Sequence, residues 1–329
     1  MNILVTMHEC DEKEIYFPKE TWDSLKQYGN VRVNDLGRPF TEEELAKYLT
    51  EVDICISHWW CPPFTEKVLK GADRLKLIAH AAGSVSPYVT DDVYRRRIKV
   101  CSANEIMAKF VAEGTLSYIL AGLRQIPLHD SRMKSGGIWE QYRSESLFGK
   151  KVGLIGFGTV GSILVQLLSP FNVQIRVFDP YLKEDSLVGM KNISSTTLDE
   201  LLLWADIISI HASQTPETFH LLNAKKLSLI RRDALLVNTA RGSLIDESTL
   251  ALLLEQKRFF AVLDVFSEEP LPMGSPLRKS ENAILIPHMA GKPSRENLTY
   301  GMIDEIARFC KNEPLQYEIP YGKFRLMTR

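Results

Sequence analysis

Short apolar runs alternate with amphipathic stretches from the start of the chain. In the first third, the apolar runs predict five strands, and the stretches between them place apolar residues at helical spacing. The strands are predicted at residues 2–5, 31–34, 53–57, 75–80 and 99–102, with helices near residues 19–28, 41–49, 65–70 and 91–97. Strands that alternate with helices indicate a parallel sheet covered on both faces.

A second series of the same kind begins at Val152. Its further strands are predicted at residues 173–178, 206–210, 234–238, 261–265 and 283–286. The helices between them are short, for example residues 199–204 and residues 246–256, where Asp246 is the predicted N-cap. The sequence therefore predicts an α/β protein with two doubly wound parallel-sheet domains.

Two longer helical patterns determine the predicted domain organisation. One covers residues 104–122, between the two series, and the other covers residues 295–310, where it can return the chain to the first series. At 329 residues the chain exceeds the size at which a single core usually keeps growing. We therefore predict a discontinuous first domain of residues 1–103 plus 292–329, and a second domain of residues 104–291.

Composition narrows the class of partner. A formal net charge of -1 gives no basic bias toward nucleic acid or an anionic membrane. The five cysteines are scattered without metal-ligand spacing, which favours reduced thiols over disulfides or a metal site. Charge interrupts the first residues too soon for a signal peptide, and no apolar run approaches membrane-spanning length. We expect a soluble, cytoplasmic protein that binds no metal, nucleic acid or membrane.

Three glycines and one aspartate form the most specific local pattern. Gly156, Gly158 and Gly161 follow an apolar strand and open a helix near Thr159, and Asp179 closes the next strand roughly 20 residues on. The first glycine of such a turn allows its tight bend, the second lets the backbone approach a pyrophosphate, and the third brings the helix close to the strand. The acid accepts hydrogen bonds from a ribose hydroxyl and repels a 2′-phosphate. The pattern predicts a dinucleotide site that prefers NAD to NADP.

Charged side chains follow other predicted strands of the second series. Arg241 and His288 each come after a strand, and the acid-bearing segment 264–270 follows a third. The planar guanidinium of arginine matches a carboxylate, and a carboxylate bonded to an imidazole fixes its tautomer and favours its protonated form. Hydride transfer needs a cation for an anionic substrate and a proton donor beside the reacting oxygen. From the residues alone, an ion-paired surface role for Arg241 and a structural role for His288 stay open.

These residues resemble the motifs of the D-isomer-specific 2-hydroxyacid dehydrogenase family. The similarity runs through nearly all of residues 100–292 and is looser before them. Its markers are, in chain order, Val111-Ala112-Glu113, Trp139, the loop 156–161, Asp179, His211, the segment 215–218, the segment 238–242, Asp264-Val265-Phe266, Glu269-Pro270 and Pro287-His288. On these ordered matches the chain is identified as a member of that family.

The resemblance implies a Rossmann dinucleotide-binding domain, a flavodoxin-like substrate domain, and NAD-dependent interconversion of a D-2-hydroxy acid and its 2-oxo acid. It implies that Arg241 binds and polarises the substrate and that His288 is the general acid/base. The position before the proline selects Glu269, rather than Glu268, as the carboxylate partner of His288. Cofactor contacts are implied for Gly156, Phe157, Gly158, Thr159, Val160, Gly161, Asp179, His211, Thr215, Thr239, Ala240, Arg241, Asp264, His288 and Gly291, with Asp264 on the nicotinamide carboxamide.

The loop after the fourth strand departs from the family pattern. Family members usually carry a Gly-rich loop with an acid-bearing ending, whereas here the ending is Ser86-Pro87-Tyr88. Backbone N–H groups of Ala82, Gly83, Ser84 and Val85 can still meet a substrate carboxylate that Arg241 and His288 also contact. The substrate side chain is therefore left open by the sequence.

Aromatic and basic residues near this loop allow more than one interpretation. Trp59 and Trp60, together with Tyr88, form either an aromatic wall for an apolar substrate side chain or ordinary packing. His80 and Arg96-Arg97 would suit a phosphate, but the run Arg95-Arg96-Arg97 on a short helix is more typical of a solvated face. A phosphorylated substrate is thus the less favoured alternative.

Assembly and overall role also have alternatives. By resemblance we expect a homodimer through residues 123–149, where Trp139 either reaches the partner's active site or packs in the interface. One alternative function is a phosphoglycerate-type dehydrogenase, although no regulatory domain follows the last predicted helix. Another is an NAD(H)-sensing binding protein whose dehydrogenase activity is secondary.

Overall fold

The chain folds into two compact units. The computed structural model describes residues 1–137, 139, 144–325 and 327. Unit 1 comprises Met1–Met107 and Ser294–Arg329, and unit 2 comprises Ala108–Pro293. The sequence places the same two boundaries at 103/104 and 291/292, a few residues earlier at each junction.

Unit 1 is built on a five-stranded parallel sheet with strand order β2-β1-β3-β4-β5. Apolar residues of alternate strand positions feed two cores, with Leu4, Cys55 and Ile78 on one face and Ile3 and Ile54 on the other. Strands buried on both faces read as continuous apolar runs, as the sequence indicated. The strands are β1 (Asn2–Val5), β2 (Asn30–Val33), β3 (Ile54–Ser57), β4 (Leu77–His80) and β5 (Lys99–Ser102).

Short helices cover this sheet, and their starts follow from local chemistry. Thr41 and Glu44 form a reciprocal capping box, and the Thr65 hydroxyl caps the next helix. The helices are α1 (Lys13–Tyr16), α2 (Lys19–Lys26), α3 (Glu42–Tyr48), α4 (Glu66–Leu69) and α5 (Asp91–Arg95), with α12 (Arg295–Cys310) and α13 (Tyr321–Phe324) near the end of the chain.

Unit 2 carries a seven-stranded parallel sheet with strand order β12-β11-β10-β9-β6-β7-β8. Its strands are β6 (Lys151–Ile155), β7 (Gln174–Phe178), β8 (Ile193–Ser195), β9 (Ile207–Ile210), β10 (Leu235–Asn238), β11 (Phe260–Leu263) and β12 (Ala283–Leu285). Its helices are α6 (Asn104–Arg124), which begins in unit 1, α7 (Ile126–Lys134), α8 (Thr159–Leu168), α9 (Leu198–Trp204), α10 (Ala224–Leu229) and α11 (Glu247–Glu255). Asp246 caps α11, as the sequence predicts.

The two strand orders confirm the predicted fold class. Unit 1 has the order of flavodoxin-like sheets, and unit 2 has the order of dinucleotide-binding sheets with one added strand. In a parallel sheet all carboxyl ends lie at one edge, which is where open α/β sheets bind ligands. In unit 2 the glycine loop, Asp179, Arg241 and His288 all follow such ends.

Some elements differ from the sequence prediction. Strand β8 was not predicted, because its three residues include two serines and it pairs only with β7 at the sheet edge. Helix α7 occupies a stretch that reads as polar and irregular, and its helical face carries no buried residue. The sequence also predicted no apolar run of membrane-spanning length, which is wrong for α6.

Helix α6 has 21 residues and is apolar enough, by length and composition, to cross a membrane. Its buried residues Ala108, Ala112, Thr115 and Ile119 recur every three or four positions. Ala112, Ile119 and Leu123 join the core of unit 2 with residues of β6 and β10. This spacing is typical of a helix with one face in a core. Because the apolar residues of α6 do not form an uninterrupted run, a search for such runs does not detect the helix.

Candidate active site

The glycine loop of unit 2 has the backbone geometry that the sequence predicted. Gly156 has φ +94, and a Cβ there would lie 2.6 Å from the Ala212 nitrogen. A Cβ on Gly161 would lie 2.9 Å from the Gly156 carbonyl oxygen, whereas one on Gly158 would meet open space. The first and third glycines are therefore required by close packing, and the second keeps the outer side of the turn free of a side chain.

The N-terminus of α8 presents unused donors at this loop. The first bond of the helix runs from the Ser162 N–H to the Gly158 carbonyl. Within the described residues, the N–H groups of Gly158, Thr159, Val160 and Gly161 have no acceptor. Free N–H groups and the positive end of a helix dipole bind anions. The loop thus fits the pyrophosphate of a dinucleotide.

Asp179 is bonded to the loop itself. Its Oδ2 accepts the Phe157 N–H at 2.8 Å, and its Oδ1 accepts the Tyr181 N–H at 2.9 Å. Each carboxylate oxygen has a second lone pair, so these bonds leave capacity for a ribose hydroxyl. The predicted ribose contact stays a prediction, and the structure adds a role in holding the glycine loop.

Arg241 lies in a turn whose backbone is hydrogen-bonded to both polar atoms of the Asn238 side chain. The Asn238 Oδ1 accepts the Ala240 N–H at 3.0 Å, and its Nδ2 donates to the Arg241 carbonyl at 2.9 Å. The Thr239 hydroxyl lies 2.9 Å from the Thr115 hydroxyl of α6. Desolvation lowers the pKa of Arg241 and Glu269 opposes this change. Because the ordinary pKa of arginine lies above ~12, the guanidinium remains a cation.

Gly242 joins this turn to the segment that carries Glu269. A Cβ on Gly242 would lie 1.9 Å from the carbonyl carbon of Phe266. The Phe266 N–H in turn donates to Glu269 Oε1 at 3.0 Å. The backbone beside Arg241 and the backbone that holds Glu269 are therefore in direct contact, with no room for a side chain between them.

His288 and Glu269 form a hydrogen-bonded pair. The Nδ1 of His288 lies 2.8 Å from Glu269 Oε2, and the His288 side chain is 51% exposed. Within the described residues, Nε2 of His288 has no protein partner. Glu268 makes no hydrogen bond or ion pair with His288, so Glu269 rather than its neighbour is the partner of the imidazole. The imidazole is thus held at one nitrogen and open at the other.

Asp264 organises the backbone around His288. Its side chain is 1% exposed. Its Oδ1 accepts the Met289 N–H at 2.7 Å and the Tyr118 hydroxyl at 3.1 Å, and its Oδ2 accepts the Ala290 N–H at 3.1 Å. The predicted contact of Asp264 with a nicotinamide carboxamide stays a prediction. The structure shows that protein donors already surround this carboxylate.

Three further predicted cofactor residues lie near strand ends of the same sheet. His211 follows β9, and its Nε2 lies 2.9 Å from the Ser209 hydroxyl. Burial lowers the pKa of His211 to about 4, so its ring is neutral near pH 7. Thr215 opens a single helical turn, where its N–H donates to the Thr218 hydroxyl at 2.8 Å. Gly291 lies three residues beyond His288.

The sequence marks Asn238 only as a member of the family segment 238–242, without a role of its own, and it does not identify Thr115 or Tyr118 as parts of this site. Asn238 is buried at the end of β10, and a polar residue there is the one available signal. Thr115 and Tyr118 lie on α6, far from their partners in sequence, and their spacing of three shows only that they share a helix face. Their partners, Thr239 and Asp264, are known from tertiary contacts alone.

The predicted substrate loop lies in unit 1. Ala82 and Val85 are fully buried, and the Gly83 carbonyl accepts the Ser102 hydroxyl at 2.6 Å. Within the described part of the chain, the N–H groups of Ala82, Gly83 and Val85 have no acceptor. Backbone donors of this kind suit a carboxylate. The contact of this loop with a substrate stays a prediction.

Two buried histidines lie at the carboxyl edge of the same sheet. His80 Nδ1 lies 2.9 Å from the Ser57 hydroxyl, while His80 Nε2 and both ring nitrogens of His58 lack a partner within the described residues. Burial lowers the pKa of both imidazoles to about 3, so both are neutral near pH 7. They therefore give no positive charge with which to bind a phosphate.

The aromatic residues next to the histidines divide between packing and exposure. Trp59 packs edge-on against His58 and Tyr16, and Tyr88 lies over His80 with ring centroids 4.8 Å apart. Trp60 is 53% exposed and has φ +66. Trp59 and Tyr88 thus fit the packing interpretation, whereas Trp60 remains available for the predicted aromatic wall.

The basic run lies at the end of α5 rather than along it, because the helix ends at Arg95, and Arg96 and Arg97 follow. Two of its arginines pair at the surface. Arg95 pairs with Asp92 at 2.6 Å, and Arg96 lies 3.9 Å from Asp73. Most of the Arg95 side chain is exposed, so these pairs are solvated and weak. The run fits a solvated face.

Comparisons with known proteins identify relatives of this chain. The family model described as D-isomer specific 2-hydroxyacid dehydrogenase, NAD binding domain, matches residues 116–290. A glyoxylate reductase from Thermofilum pendens is 34% identical over 282 residues, which cover 83% of this chain and 82% of the relative. A D-3-phosphoglycerate dehydrogenase from Methanocaldococcus jannaschii is 31% identical over 88% of this chain, which spans only 56% of that relative's length.

A solved structure extends the similarity to both units. An acyclic imino acid reductase in complex with NADPH and D-Arg superposes with a TM-score of 0.80 and 26% identity. The superposition covers 97% of this chain and 100% of the other. The shared architecture therefore includes the parts of the chain outside the matched NAD-binding region.

Proposed function

Because the chain belongs to the D-isomer-specific 2-hydroxyacid dehydrogenase family and carries its NAD-binding domain, we propose that it interconverts a D-2-hydroxy acid and its 2-oxo acid. One observation carries this proposal. Glu269 holds Nδ1 of His288 at 2.8 Å, while Nε2 of His288 has no partner within the described residues. Asp264 accepts the N–H groups of the two residues that follow His288. An imidazole oriented in this way is suited to general acid/base work.

The chain's residues divide the reaction between them. NADH supplies the hydride to the carbonyl carbon when it is bound. The free N–H groups at the start of α8 would hold its pyrophosphate, and Asp179, which also accepts the Phe157 N–H, would accept from its ribose. Arg241 binds the substrate carboxylate and polarises the carbonyl oxygen. Asn238 and Gly242 keep that arginine's backbone in place beside the Glu269 segment.

In this proposal His288 is the proton donor and acceptor of the reaction. In the reducing direction, Nε2 gives its proton to the carbonyl oxygen as the hydride reaches the carbon, so the 2-oxo acid becomes a 2-hydroxy acid. Glu269 stabilises the protonated imidazole before the transfer and keeps the neutral tautomer with its proton on Nδ1 afterwards. Solvent then returns a proton to Nε2. The oxidising direction reverses each of these steps.

The edge of unit 1 supports a small substrate without a phosphate. The loop 82–85 offers backbone donors to a carboxylate, and the nearby His58 and His80 are neutral. A phosphate dianion would need cations in that place. For this reason we place the phosphoglycerate-type alternative second, although one relative carries that name.

The first experiment is NADH oxidation with a panel of 2-oxo acids, including glyoxylate, pyruvate, hydroxypyruvate and 3-phosphohydroxypyruvate. We expect turnover with a small member and a weak response to the phosphorylated one. His288→Asn should lower kcat by about 10³-fold while NADH affinity stays within a few-fold. An NADH-binding protein that reduces no member would contradict the enzymatic proposal and favour the sensor alternative.

We also propose a cytoplasmic homodimer that associates through residues 123–149. Exposed apolar side chains in this region support the proposal, namely Ile126, Met133, Trp139 and Phe148. Part of the segment, residues 138 and 140–143, lies outside the described residues. Light scattering tests the assembly, since a monomer mass at micromolar concentration would contradict it.

A further inference from the structure

Helix α6 presents two hydroxyl groups to two different segments of the candidate active site. The Thr115 hydroxyl lies 2.9 Å from the Thr239 hydroxyl, in the turn that leads to Arg241. The Tyr118 hydroxyl donates to Asp264 at 3.1 Å, in the segment that leads toward His288. Residues three apart share a helix face, so one side of α6 contacts both segments.

The Asp264 carboxylate holds the backbone that follows His288. His288 has φ +51, in the left-handed region that a residue with a side chain rarely adopts. The N–H groups of the next two residues, Met289 and Ala290, both donate to Asp264, and the His288 N–H donates to the Asp264 carbonyl. These bonds maintain the unusual conformation, which also sets the direction of the imidazole.

Tyr118 is the one side chain among the described residues that donates to this carboxylate. The other two donors are backbone N–H groups that move together with His288. Tyr118 instead belongs to a helix whose residues Ala112 and Ile119 are fixed in the core of unit 2. Burial and the nearby Asp264 raise the pKa of Tyr118, so its hydroxyl stays protonated. The tyrosine therefore ties the carboxylate to a rigid element.

We propose that Tyr118 is a positioning residue for His288 and acts through Asp264. This inference rests on the proposed function, in which His288 moves the proton. Loss of the Tyr118 hydroxyl leaves a buried carboxylate with one donor fewer and lets it shift. The direction of the imidazole then relaxes, and proton transfer slows even though every group of the pair remains present.

The test is Tyr118→Phe, with Tyr300→Phe as the matched control, because Tyr300 is partly exposed and its hydroxyl has no partner within the described residues. We expect kcat to fall about tenfold in Tyr118→Phe, as for one lost bond to a charged group, and to stay unchanged in the control. Thr115→Val should instead raise KM for the oxo acid, because its partner leads to Arg241. An unchanged kcat in Tyr118→Phe would overturn the proposal.

A double-mutant cycle with Asp264→Asn separates positioning from packing. If Tyr118 acts through Asp264, the effect of Tyr118→Phe should largely disappear in the Asp264→Asn background. Strictly additive effects would overturn the proposal. If Tyr118→Phe fails to fold, 3-fluorotyrosine at position 118 retains the hydroxyl, and its fluorine resonance should change when Asp264 becomes asparagine. An unchanged resonance would equally overturn it.

A readout without turnover distinguishes this inference from the proposed function. The ring resonances of His288 can be assigned by comparison with His288→Asn, and the other six histidines serve as internal references. We expect Tyr118→Phe to shift the His288 resonances while the others stay in place. If the protein reduces no 2-oxo acid, the proposed function fails, yet this spectrum still decides whether Tyr118 positions His288. No shift of His288 would overturn the positioning role.

Discussion

The carboxyl edges of the two sheets carry polar residues in opposite ways. At the edge of unit 2, the side chains of Asn238, Asp264 and Glu269 each bond to neighbouring backbone, and charged groups remain partly exposed. At the edge of unit 1, His58 and His80 are fully buried and uncharged, and three of their four ring nitrogens have no partner within the described residues. The polar side chains of one edge form a hydrogen-bonded network, and the two histidines of the other make a single hydrogen bond within the described chain, between His80 and Ser57.

This difference has separate consequences for chemistry and for stability. A charge that must act in a reaction needs fixed partners, because a misplaced group loses most of its effect. A buried polar atom without a partner costs about 1–3 kcal/mol, so the unit 1 cluster lowers stability as it stands. Such costs tend to persist at functional positions rather than in ordinary cores. The edge of unit 2 is therefore preorganised for a reaction, whereas the uncharged edge of unit 1 lowers the stability of the fold.

The largest effect should come from the bonded pair of unit 2. Glu269→Gln should lower kcat about 100-fold, because glutamine cannot stabilise a protonated His288 as a carboxylate does. The matched control is Glu268→Gln, which removes an adjacent exposed charge that makes no hydrogen bond or ion pair with His288 and should change kcat less than twofold. Steady-state kinetics decide between them, and equal losses in both variants would contradict a specific pair.

The histidines of unit 1 should make the fold sensitive to acid. Their folded pKa of about 3 lies below the ordinary value of 6.5, so the unfolded chain binds protons first as the pH falls. Their full contribution is present above pH ~7 and is lost as the pH falls below 6.5, by about 2 kcal/mol per histidine at pH 5.

Urea unfolding at pH 7 and pH 5 measures this loss. His80→Asn should reduce the difference in unfolding free energy between the two pH values by about 2 kcal/mol. The control is His8→Asn, since His8 is only partly buried in the same unit. If both variants keep the wild-type pH dependence, the buried histidines are not the cause of acid sensitivity.

Asp179 provides a test at the predicted cofactor site of unit 2, where its carboxylate also bonds to neighbouring backbone. Asp179→Ala should reduce the preference for NADH over NADPH by about tenfold, since it removes the charge that repels a 2′-phosphate. Asp179→Asn retains an acceptor for the Phe157 or Tyr181 N–H, so it separates charge from loop support. Ratios of kcat/KM for the two cofactors provide the measurement. An unchanged ratio in both variants would remove the ribose assignment.

The smallest effect on stability should come from Trp60. Because its side chain is 53% exposed, Trp60→Ala should change the free energy of unfolding by less than about 0.5 kcal/mol. Trp59→Ala, which removes contacts with Tyr16 and His58, should cost about 3 kcal/mol. If Trp60→Ala also changes the ratio of kcat/KM between oxo acids, Trp60 belongs to an aromatic wall. Equal stability losses for the two tryptophans would contradict the division between packing and exposure.

Sequence patterns predicted most of the sheets because parallel strands are continuous apolar runs. The strands at residues 2–5 and 99–102 and the helix at residues 295–310 have the predicted bounds, and the other predicted elements differ mainly at their ends. The three-residue strand β8 and helix α7 lack a buried face, so hydrophobic periodicity could not indicate them. Hydrophobic periodicity predicts a helix or strand only where that element has buried residues at regular intervals.

The site was predictable to the extent that its residues follow strands. The glycine loop, Arg241 and His288 do so, and chain order alone places them at one sheet edge. The hydroxyls of Thr115 and Tyr118 could not be predicted, because their partners lie 124 and 146 residues away in the chain. The neutrality of His58 and His80 also depends on burial, which sequence spacing does not determine.

The missing side chain at position 242 limits how this site can change over evolutionary time. Since even a methyl group there would overlap the Phe266 carbonyl carbon, a side chain at this position would force the two neighbouring segments apart. A descendant with a different substrate would therefore have to keep the arginine and the histidine–glutamate pair in one fixed arrangement.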